Sequence, residues 1–287
     1  MDVLFVCTGN TCRSPMAAGL FSALCSARGL NSITISGAGL AAWPGAPAWP
    51  NAIAAAAGFG ADIASHQARQ AAPELLARAD FMVCLAAGHA RQLAPFVPHE
   101  KLRVLGGGIA DPYGGDMEVY QACARQIAEA LPSLLPDFLC GAAIVPTEQA
   151  HLPALAALER IAFSHPASEA KLAEKLALEH NYMLSALFEN EISGFLGVDE
   201  IAGEAFVDDL AVFPQFRRRG VASALLARAE AGAILRGCEM IHLECRESNA
   251  AALALYEARG YRRVGRRRGF YESPKEDAVL MTMEIAN

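Results

Sequence analysis

The feature that most constrains the fold is a regular alternation of short apolar runs and helical segments across residues 1–139. The runs have the length and residue types of buried strands, and loops containing Gly and Pro separate them from the helical segments. Strands and helices that alternate in this way build a parallel sheet with helices on both faces. The predicted strands are DVLFVC, SITISGAGL, FMVCLA and KLRVLG, and the predicted helices are RSPMAAGLFSALCSARGL, PNAIAAAAGFG, PELLARA and MEVYQACARQIAEALPSLL. This half is therefore expected to be a doubly wound α/β domain.

The pattern changes after Pro132, Pro136 and Gly141, which punctuate the end of the last helical segment. Several later strands follow one another without a helix between them, which indicates antiparallel pairing. These strands are AAIV, NYMLSALFEN, ISGFLGVDE, EAFVDDLAVF, IHLECRE, YRRVGRR and AVLMTMEI. A chain of 287 residues accommodates two domains. We predict a doubly wound parallel-sheet domain at residues 1–139 and a mixed α/β domain at residues 143–287.

Composition and charge exclude several classes of protein. Hydrophobic residues make up 53% and charged residues 19% of the chain, so a disordered chain is not expected. The net charge of -7 argues against direct nucleic-acid binding, and no apolar run approaches the ~20 residues of a membrane span. The eight cysteines lack the spacing of a zinc site or a disulfide framework, and Met1-Asp2 has no basic region before an apolar stretch. We expect a cytoplasmic protein with free thiols, no metal and no membrane partner.

One local charge cluster departs from this balance. Six arginines fall within ten residues near the C-terminus, namely Arg259, Arg262, Arg263, Arg266, Arg267 and Arg268. Such a run is usually a solvated face, and the alternative is a basic patch for an anionic ligand or a ribosomal surface.

The strand DVLFVC ends on the thiol of Cys7 and passes directly into a tight loop and a helix start. Loop amides and a helix N-terminus present positive potential to the loop centre, and this setting favours a thiolate and binds a tetrahedral oxyanion. Arg13 offers a fork to two oxygens of that anion, and the Ser14 hydroxyl can bond to the sulfur. The candidate phosphate-binding residues around the nucleophile are Thr8, Gly9, Asn10, Thr11, Cys12 and Ser14.

This half resembles the low-molecular-weight protein-tyrosine phosphatase family along nearly its whole length. The resemblance is carried by CTGNTCRSP at residues 7–15, SGAG at 36–39 and DPYGGD at 111–116. It implies that Cys7 attacks phosphorus to form a phosphocysteine, and that Asp111 protonates the leaving atom and then assists water. An Asp-Pro dipeptide alone would indicate an ordinary turn, so the role of Asp111 depends on its pairing with the Cys7 loop.

The phosphoryl group that such a site removes is open between two classes. Tyrosine-directed members commonly carry Ile between the loop Asn and the second Cys, whereas members that resemble bacterial protein-arginine phosphatases carry Thr, as this chain does at Thr11. We therefore favour protein phosphoarginine, with phosphotyrosine as the alternative. An arsenate reductase on the same fold needs further cysteines to resolve its intermediate, and neither Cys84 nor Cys123 lies in a short redox segment.

A second anion site is predicted where a strand runs through Pro214 into a basic loop and a long apolar helix. Consecutive amides before a helix N-terminus bind anions, and small side chains leave the backbone open to a diphosphate. The candidate residues of this loop are Arg217, Arg218, Arg219, Gly220, Val221 and Ala222. An arginine-rich loop before a helix is the alternative interpretation.

The segment HLECRESNAAALALYEARGY indicates the chemistry expected beside this loop. With the loop, it resembles the GNAT acetyltransferases, and within them the enzymes that acetylate the N-terminal alanine of a ribosomal protein, over about residues 143–285. The resemblance implies that Glu244 is the general base, acting through water, and that Tyr256 is the acid for the departing CoA thiolate. It also implies that acetyl-CoA contacts Leu210, Val212 and Asn249. The chain departs from the family at Ala167, where the family often has Trp, and this departure concerns the pocket for the acceptor peptide.

We therefore predict a fusion of two enzymes. The first is a cysteine-dependent protein phosphatase that acts on a phosphorylated protein. The second is an acetyltransferase that uses acetyl-CoA and a protein N-terminus, a ribosomal protein being one candidate acceptor. The alternative from another class is a scaffold in which one domain has lost its chemistry and only binds ligand or protein.

Overall fold

The chain builds two separate sheets, and each belongs to its own unit. The computed structural model describes residues 1–30 and 32–285. These residues separate into two units, the first comprising Met1–Pro132 with Ile285 and the second Ser133–Glu284. The first unit holds a four-stranded sheet and the second a seven-stranded sheet. In the part of the chain that is described, no helix is long and apolar enough to cross a membrane.

The first unit alternates strands and helices along the chain. Its strands are β1 (Asp2–Cys7), β2 (Thr34–Gly39), β3 (Phe81–Cys84) and β4 (Leu102–Val104). Its helices are α1 (Arg13–Ala27), α2 (Pro50–Ala57), α3 (Pro73–Arg78), α4 (Ala87–Leu93) and α5 (Met117–Ala130). The strands pair in the order β2-β1-β3-β4, and all of them run parallel. Parallel neighbours require crossovers, which the helices supply, so the predicted doubly wound sheet is confirmed.

Strand β1 lies inside this sheet, and its position explains its composition. Residues 3–7 are all buried, as expected for a parallel strand covered on both faces. Cys7, the last residue of β1, pairs with Gly39, the last residue of β2. The carboxyl ends of the strands therefore meet at one edge, where the loops of a binding site gather in open parallel sheets.

Helix α4 is an element that the sequence analysis did not predict. Its segment AGHARQL has seven residues, and its N-cap residue Ala86 makes no side-chain cap hydrogen bond. Neither its length nor its capping therefore marks it as a helix in the sequence. The helix matters because it carries His89, which contacts the loop after β1.

The second unit has a mixed sheet. Its strands are β5 (Ala143–Pro146), β6 (Asn181–Phe188), β7 (Glu191–Ile201), β8 (Glu204–Val212), β9 (Met240–Arg246), β10 (Arg262–Glu272) and β11 (Lys275–Glu284). Its helices are α6 (Leu134–Leu139), α7 (Leu152–Ala162), α8 (Glu169–Leu176), α9 (Val221–Arg236) and α10 (Ala250–Arg259). The strands pair in the order β10-β11-β9-β8-β7-β6-β5, with β8 and β9 parallel and the other neighbours antiparallel. The predicted mixed α/β domain is confirmed.

Strands β8 and β9 separate partway along their length. They pair from Glu204 with Met240 to Val207 with Leu243, and the pairing ends there although both strands continue. At this point β8 also carries a bulge, because the pairing with β7 skips Asp208. The sheet therefore opens between the ends of β8 and β9.

Helix α6 was also not predicted, because Pro132 and Pro136 were interpreted as the end of the preceding helix. Pro136 is the third residue of α6. Amides in the first turn of a helix have no intrahelical acceptor, so a proline there removes no hydrogen bond. Helix α6 belongs to the second unit and packs against α9.

Candidate active sites

The thiol of Cys7 lies at the centre of the loop that joins β1 to α1. Its Sγ is 3.0 Å from the Ser14 hydroxyl and accepts a hydrogen bond from the Asn10 amide at 3.3 Å. Asn10 has a φ of 54°, the left-handed conformation that curls the loop around the sulfur. The predicted contact between Ser14 and the Cys7 sulfur is therefore present.

The loop is held from behind by a hydrogen-bond network around Asn10. The Asn10 side chain donates to the Ser14 hydroxyl at 2.8 Å and accepts from the Arg69 amide at 2.9 Å. His66 donates from Nε2 to the Asn10 carbonyl at 2.7 Å, and burial lowers the pKa of His66. Asn10 is fully buried, so these bonds hold the loop conformation in the absence of substrate.

Two glycines of β2 make room for this loop. A Cβ on Gly39 would lie 2.6 Å from the carbonyl oxygen of Thr8, and a Cβ on Gly37 would lie 2.8 Å from the Asn10 side chain. Gly9 itself has only an ordinary contact with Thr11. The steric requirement for glycine thus lies in the neighbouring strand. Both glycines belong to the SGAG stretch that carries the family resemblance, but their steric role was not apparent from the sequence.

Arg13 and Asp111 are brought together at the mouth of the loop. Arg13 donates from Nη2 to Asp111 Oδ2 at 2.5 Å and from Nη1 to the Ile109 carbonyl at 3.2 Å. Asp111 also accepts from the Tyr113 amide at 3.2 Å, as in an ordinary Asp turn. The arginine is buried, whereas the carboxylate side chain is 48% exposed. Asp111 therefore has both the turn contact and the access to solvent that a proton donor needs.

His89 is a residue of this site that the sequence analysis did not assign to it. Its Nε2 lies 3.0 Å from the Thr8 hydroxyl, and its Nδ1 is buried with no hydrogen-bond partner among the described residues. Burial, with a smaller effect of Arg13, lowers the pKa of His89 to about 4. The imidazole is therefore neutral at pH 7 and orients the hydroxyl of Thr8 without adding charge.

Aromatic side chains border the entrance near Thr11. The Trp49 amide donates to the Thr11 carbonyl at 3.0 Å, and the Trp49 and Tyr113 rings lie edge to face with centroids 5.6 Å apart. Both rings are exposed, as is Trp43. A planar substrate group, either a phenyl ring or a guanidinium, can stack on such a rim.

The other cysteines near the loop are poorly suited to redox chemistry. Cys12 Sγ lies 3.3 Å from the Tyr120 hydroxyl, and burial raises the pKa of Cys12. Burial also raises the pKa of Cys123 to about 12 and that of Cys84 well above its usual value. Because the thiolate is the reactive form, neither Cys84 nor Cys123 fits the resolving thiol of an arsenate reductase.

In the second unit, the predicted anion loop leads directly into α9. Gly220 is the N-cap of α9 with a φ of 84°, and Arg218 has a φ of 62°. Val221 and Ala222 form the start of the helix, where amides lack intrahelical acceptors. The loop thus presents backbone amides at a helix N-terminus, the kind of arrangement that binds anions.

The three arginines of this loop differ in their contacts. Arg217 donates from Nε to the Val212 carbonyl at 3.1 Å, which ties the loop to the end of β8. The Arg219 guanidinium lies over the rings of Phe188 and Phe216, 5.6 and 5.7 Å from their centroids. Arg217 and Arg219 therefore have structural contacts that the sequence pattern did not reveal.

Glu244 lies on the half-exposed face of β9, at the opening between β8 and β9. Leu210 and Val212 lie beyond the last paired residues of β8, on the other side of this opening. The Glu244 carboxylate is 3.4 Å from an Arg267 nitrogen of β10. The predicted base and the predicted acetyl-binding strand thus flank the same gap.

Arg246 organises the surroundings of Glu244, a role that sequence reasoning missed. It donates to the carbonyls of Ser273 and Pro274 at 2.9 and 3.0 Å, and it lies 3.4 Å from the Ser164 hydroxyl. It therefore joins the β10–β11 turn and the α7–α8 loop to β9. Its position two residues after Glu244, on the same face, was the available signal.

Tyr256 is a buried residue of α10. Burial raises the pKa of Tyr256, which keeps the proton that a general acid must donate. The Tyr256 ring packs edge to face with Tyr261, with centroids 5.9 Å apart.

Asn249, a predicted cofactor contact, has a structural role in the helix cap. Its side chain caps α10 by accepting from the Ala252 amide at 3.2 Å, so it has a structural use whether or not it contacts a cofactor.

The run of six arginines near the C-terminus is not one patch, because Arg259 is buried and pairs with Glu230. The arginines of β10 that form ion pairs with carboxylates are Arg263, Arg266 and Arg267. These pairs favour the solvated-face interpretation.

Comparison with known proteins gives a separate match for each half. Residues 2–145 match the family model of low molecular weight phosphotyrosine protein phosphatases, and residues 152–261 match that of the acetyltransferase (GNAT) family. The first half is 34% identical over 144 residues to a protein-arginine-phosphatase of Bacillus subtilis, covering 47% of this chain and 94% of that protein. It is 36% identical over 151 residues to a low molecular weight protein-tyrosine-phosphatase of Streptomyces coelicolor, covering 46% and 90%.

The second half is similar to a protein of Escherichia coli. It is 33% identical over 142 residues to the [ribosomal protein bS18]-alanine N-acetyltransferase, covering 48% of this chain and 95% of that protein. Each half of the chain is thus similar to nearly the whole of a separate protein.

Proposed function

Because the chain belongs to the low molecular weight phosphotyrosine protein phosphatase family in its first half and to the GNAT acetyltransferase family in its second, we propose that it carries out two specific reactions. The first is hydrolysis of protein phosphoarginine through a phosphocysteine. The second is acetylation of the α-amine of a protein N-terminus. The observation that carries the first reaction is the Cys7 thiol held between Ser14 and the Asn10 amide, beside Arg13 and Asp111.

The phosphatase step begins when the Cys7 sulfur forms a bond to phosphorus. Asp111 gives its proton to the leaving nitrogen or oxygen as the bond from phosphorus to that atom breaks. Arg13 binds phosphoryl oxygens, so its present bonds to Asp111 and Ile109 rearrange when substrate enters. Asp111 then takes a proton from the water that attacks the phosphocysteine, and the Ser14 hydroxyl stabilises the departing thiolate.

The preference for phosphoarginine rests on Thr11, because the aromatic rim accepts either substrate. Trp49 and Tyr113 can stack a guanidinium as well as a phenyl ring, so the rim alone does not choose between them. A hydroxyl at Thr11 can orient an N-phosphorylated guanidinium or the attacking water, which an apolar side chain cannot. Phosphotyrosine is the alternative substrate.

The first experiment measures phosphate release from matched phosphoarginine and phosphotyrosine proteins, with Cys7→Ser as the blank. Faster release from phosphoarginine, with a preference that falls in Thr11→Ile, supports the proposal. An unchanged preference in Thr11→Ile contradicts the role of Thr11. Faster release from phosphotyrosine contradicts the phosphoarginine assignment but leaves the phosphatase, whereas release from neither favours the arsenate or scaffold alternatives.

The acetyl transfer is supported by the position of Glu244 at the opening between β8 and β9 and by the raised pKa of the buried Tyr256 hydroxyl. Glu244, acting through water, removes a proton from an acceptor ammonium whose reference pKa is only about 8. The free amine attacks the thioester carbon, and Tyr256 protonates the CoA sulfur as it leaves. The opening between β8 and β9 would hold acetyl-CoA, and the amides that follow Arg217 would bind its diphosphate.

Glu244→Gln tests the base. We expect acetylation of an alanine-initiated ribosomal-protein peptide to fall by about 10²–10³-fold, while acetyl-CoA binding measured by calorimetry stays unchanged. Full activity in this variant would remove Glu244 from the mechanism. Wild-type chain that binds acetyl-CoA but acetylates no N-terminus would support the scaffold alternative.

We also propose that both reactions take place in the cytoplasm. All eight cysteines are free thiols, and free thiols persist where the compartment is reducing.

A further inference from the structure

The cap of helix α9 is covered on one side by the segment before the second sheet. A Cβ on Gly220 would overlap the carbonyl oxygen of Pro136 and would lie 3.1 Å from the Cβ of Cys140. Gly220 also has a φ of 84°, which side chains rarely adopt. Glycine is thus required here by the close approach of α6, in addition to any need to admit a ligand.

The same segment continues beneath Arg219. Gly141, with a φ of 68°, packs beside the Phe188 ring, and a Cβ there would make an ordinary contact with the ring at 3.4 Å. Phe188 and Phe216 lie 5.7 Å apart and carry the Arg219 guanidinium. Residues 134–141 therefore contact the loop at Gly220 directly and at Arg219 through an aromatic ring.

Sequence similarity and structure assign residues 134–141 to different halves of the chain. The phosphatase family model extends to residue 145, so sequence similarity assigns residues 134–141 to the first half. The contacts assign them to the second unit instead. A segment that belongs by similarity to one enzyme thus packs on the anion loop of the other.

We propose that residues 134–141 are a positioning element of the acetyl-CoA site. They hold the backbone from Arg217 to Ala222 in the conformation in which its amides can bind the diphosphate of acetyl-CoA. The inference rests on the proposed acetyltransferase function. It adds that the diphosphate site depends on residues that lie upstream of the acetyltransferase family match.

Helix α9 offers a matched pair of variants for the test. Gly220 and Gly237 cap its two ends with φ values of 84° and 88°, but a Cβ on Gly237 would have no atom within 4 Å. Both Ala substitutions impose the same backbone strain, and only Gly220→Ala also pushes against the Pro136 carbonyl. By calorimetry on the full chain, we expect Gly220→Ala to weaken acetyl-CoA binding at least about tenfold and Gly237→Ala to leave it unchanged. Equal effects of the two changes would overturn the proposal.

A donor without the diphosphate separates positioning from general damage. With acetylpantetheine as acetyl donor, Gly220→Ala should lower kcat/KM far less than it does with acetyl-CoA, because acetylpantetheine has no diphosphate to place on the anion loop. An equal loss with acetylpantetheine and with acetyl-CoA would mean that the substitution damages the whole site, and it would overturn the proposal.

A cycle of changes then assigns the effect to the upstream segment. Residues 134–141 are replaced by a Gly-Ser sequence of equal length in the full chain, with and without Gly220→Ala. We expect the replacement to weaken acetyl-CoA binding, and Gly220→Ala to have no further effect in that background. Additive effects, or binding that is unchanged or tighter after the replacement, would overturn the proposal.

A second pair of glycines serves if the replaced chain does not fold. Gly141→Leu is compared with Gly203→Leu, because a side chain longer than a Cβ at position 141 must find room against the Phe188 ring, whereas Gly203 has a φ of 82° and open space around it. We expect only Gly141→Leu to weaken acetyl-CoA binding, and equal binding in both variants would contradict the inference. Wild-type chain that does not bind acetyl-CoA would instead refute the proposed acetyltransferase, and phosphatase activity in each variant verifies that the first unit is folded.

Discussion

At the residue scale, the phosphatase site holds Arg13, its proposed anion-binding residue, in direct contact with Asp111, its proposed proton donor. Arg13 Nη2 and Asp111 Oδ2 are 2.5 Å apart. Arg13 also donates from Nη1 to the backbone carbonyl of Ile109. The phosphoryl group must therefore replace existing partners of the arginine. The replacement frees the Asp111 carboxyl for the leaving atom, so binding and acid catalysis depend on the same pair.

The role of Asp111 as acid predicts a dependence on the leaving group. Asp111→Asn should slow phosphate release from phosphotyrosine by about 10²–10³-fold, because the phenolate leaves without its proton. Release from a dinitrophenyl phosphate, whose leaving oxygen needs no proton, should change far less. Asp116→Asn is the control, since Asp116 caps α5 and Asn caps a helix equally well. Equal losses with both substrates would contradict the role of Asp111.

Glu159 is a buried carboxyl whose ionisation affects the second unit. It is 1% exposed, accepts from the Ala167 amide at 2.9 Å, and its other oxygen has no hydrogen-bond partner in the part of the chain that is described. Burial raises the pKa of Glu159 to about 7, with a further contribution from Asp209 that Lys175 opposes. The folded protein thus keeps a proton that the unfolded chain releases at a lower pH.

The raised pKa of Glu159 predicts a loss of stability as the pH rises. Below the ordinary pKa of 4.5 both states are protonated, and between that value and about 7 only the folded state keeps the proton. The free energy of unfolding therefore falls across this window, by up to about 3 kcal/mol. In urea unfolding, the free energy of unfolding of wild type minus that of Glu159→Gln should fall by this amount across the window, because the subtraction removes the opposite effect of the lowered His89 pKa. The same subtraction with the exposed control Glu174→Gln should show no such fall. Parallel curves for wild type and Glu159→Gln would contradict the prediction.

At the scale of elements, a buried ion pair joins the two helices that flank the proposed acetyl-CoA site. Arg259 of α10 donates to both carboxylate oxygens of Glu230 in α9, at 2.9 and 2.7 Å, and to the Ser223 hydroxyl at 2.9 Å. Ser223 lies in the first turn of α9, and Tyr256 lies one turn before Arg259 in α10. The pair therefore connects the start of the anion-binding helix to the helix of the proposed acid.

Because the pair is buried, we expect removal of one charge to destabilise the protein more than removal of both. Arg259→Leu leaves the Glu230 carboxylate buried without its partner, so the free energy of unfolding should fall by about 3–5 kcal/mol. Adding Glu230→Leu removes the unpaired charge and should recover most of the loss. Urea unfolding of the single and double variants measures both effects. A double variant that is no more stable than Arg259→Leu would show that the charges themselves are required.

At the scale of the whole molecule, the two reactions share no intermediate. The phosphatase releases phosphate, and the acetyltransferase consumes a thioester, so neither product feeds the other reaction. Each unit has its own sheet and its own site. Joining the two enzymes in one chain therefore fixes their ratio without requiring transfer of a substrate between them.

The separate sites predict that the activities can be removed one at a time. Cys7→Ser should abolish phosphate release and leave acetylation unchanged, and Glu244→Gln should do the reverse. Both activities are measured on the full chain with each variant, and the wild type sets the two reference rates. A loss of both activities in either variant would mean that the sites are coupled.

The sequence by itself determined the two families, the sheet types and the positions of most strands and helices. The reason is that each motif is adjacent in sequence to the elements that define it. The strand DVLFVC ends on Cys7, and the loop at Arg217 leads into a long apolar helix. Helices α4 and α6 escaped prediction because α4 lacks a side-chain cap and α6 carries a proline in its first turn.

Only the tertiary structure decided which distant residues support each motif. Gly37 and Gly39 make room for the loop around Cys7, and His89 reaches Thr8 from a helix 81 positions along the chain. Arg259 belongs by sequence to a basic run but is buried against Glu230, and Pro136 ends one predicted helix yet covers the cap of another. These contacts depend on steric fit between elements that are far apart in sequence, and no local pattern encodes which surfaces will meet.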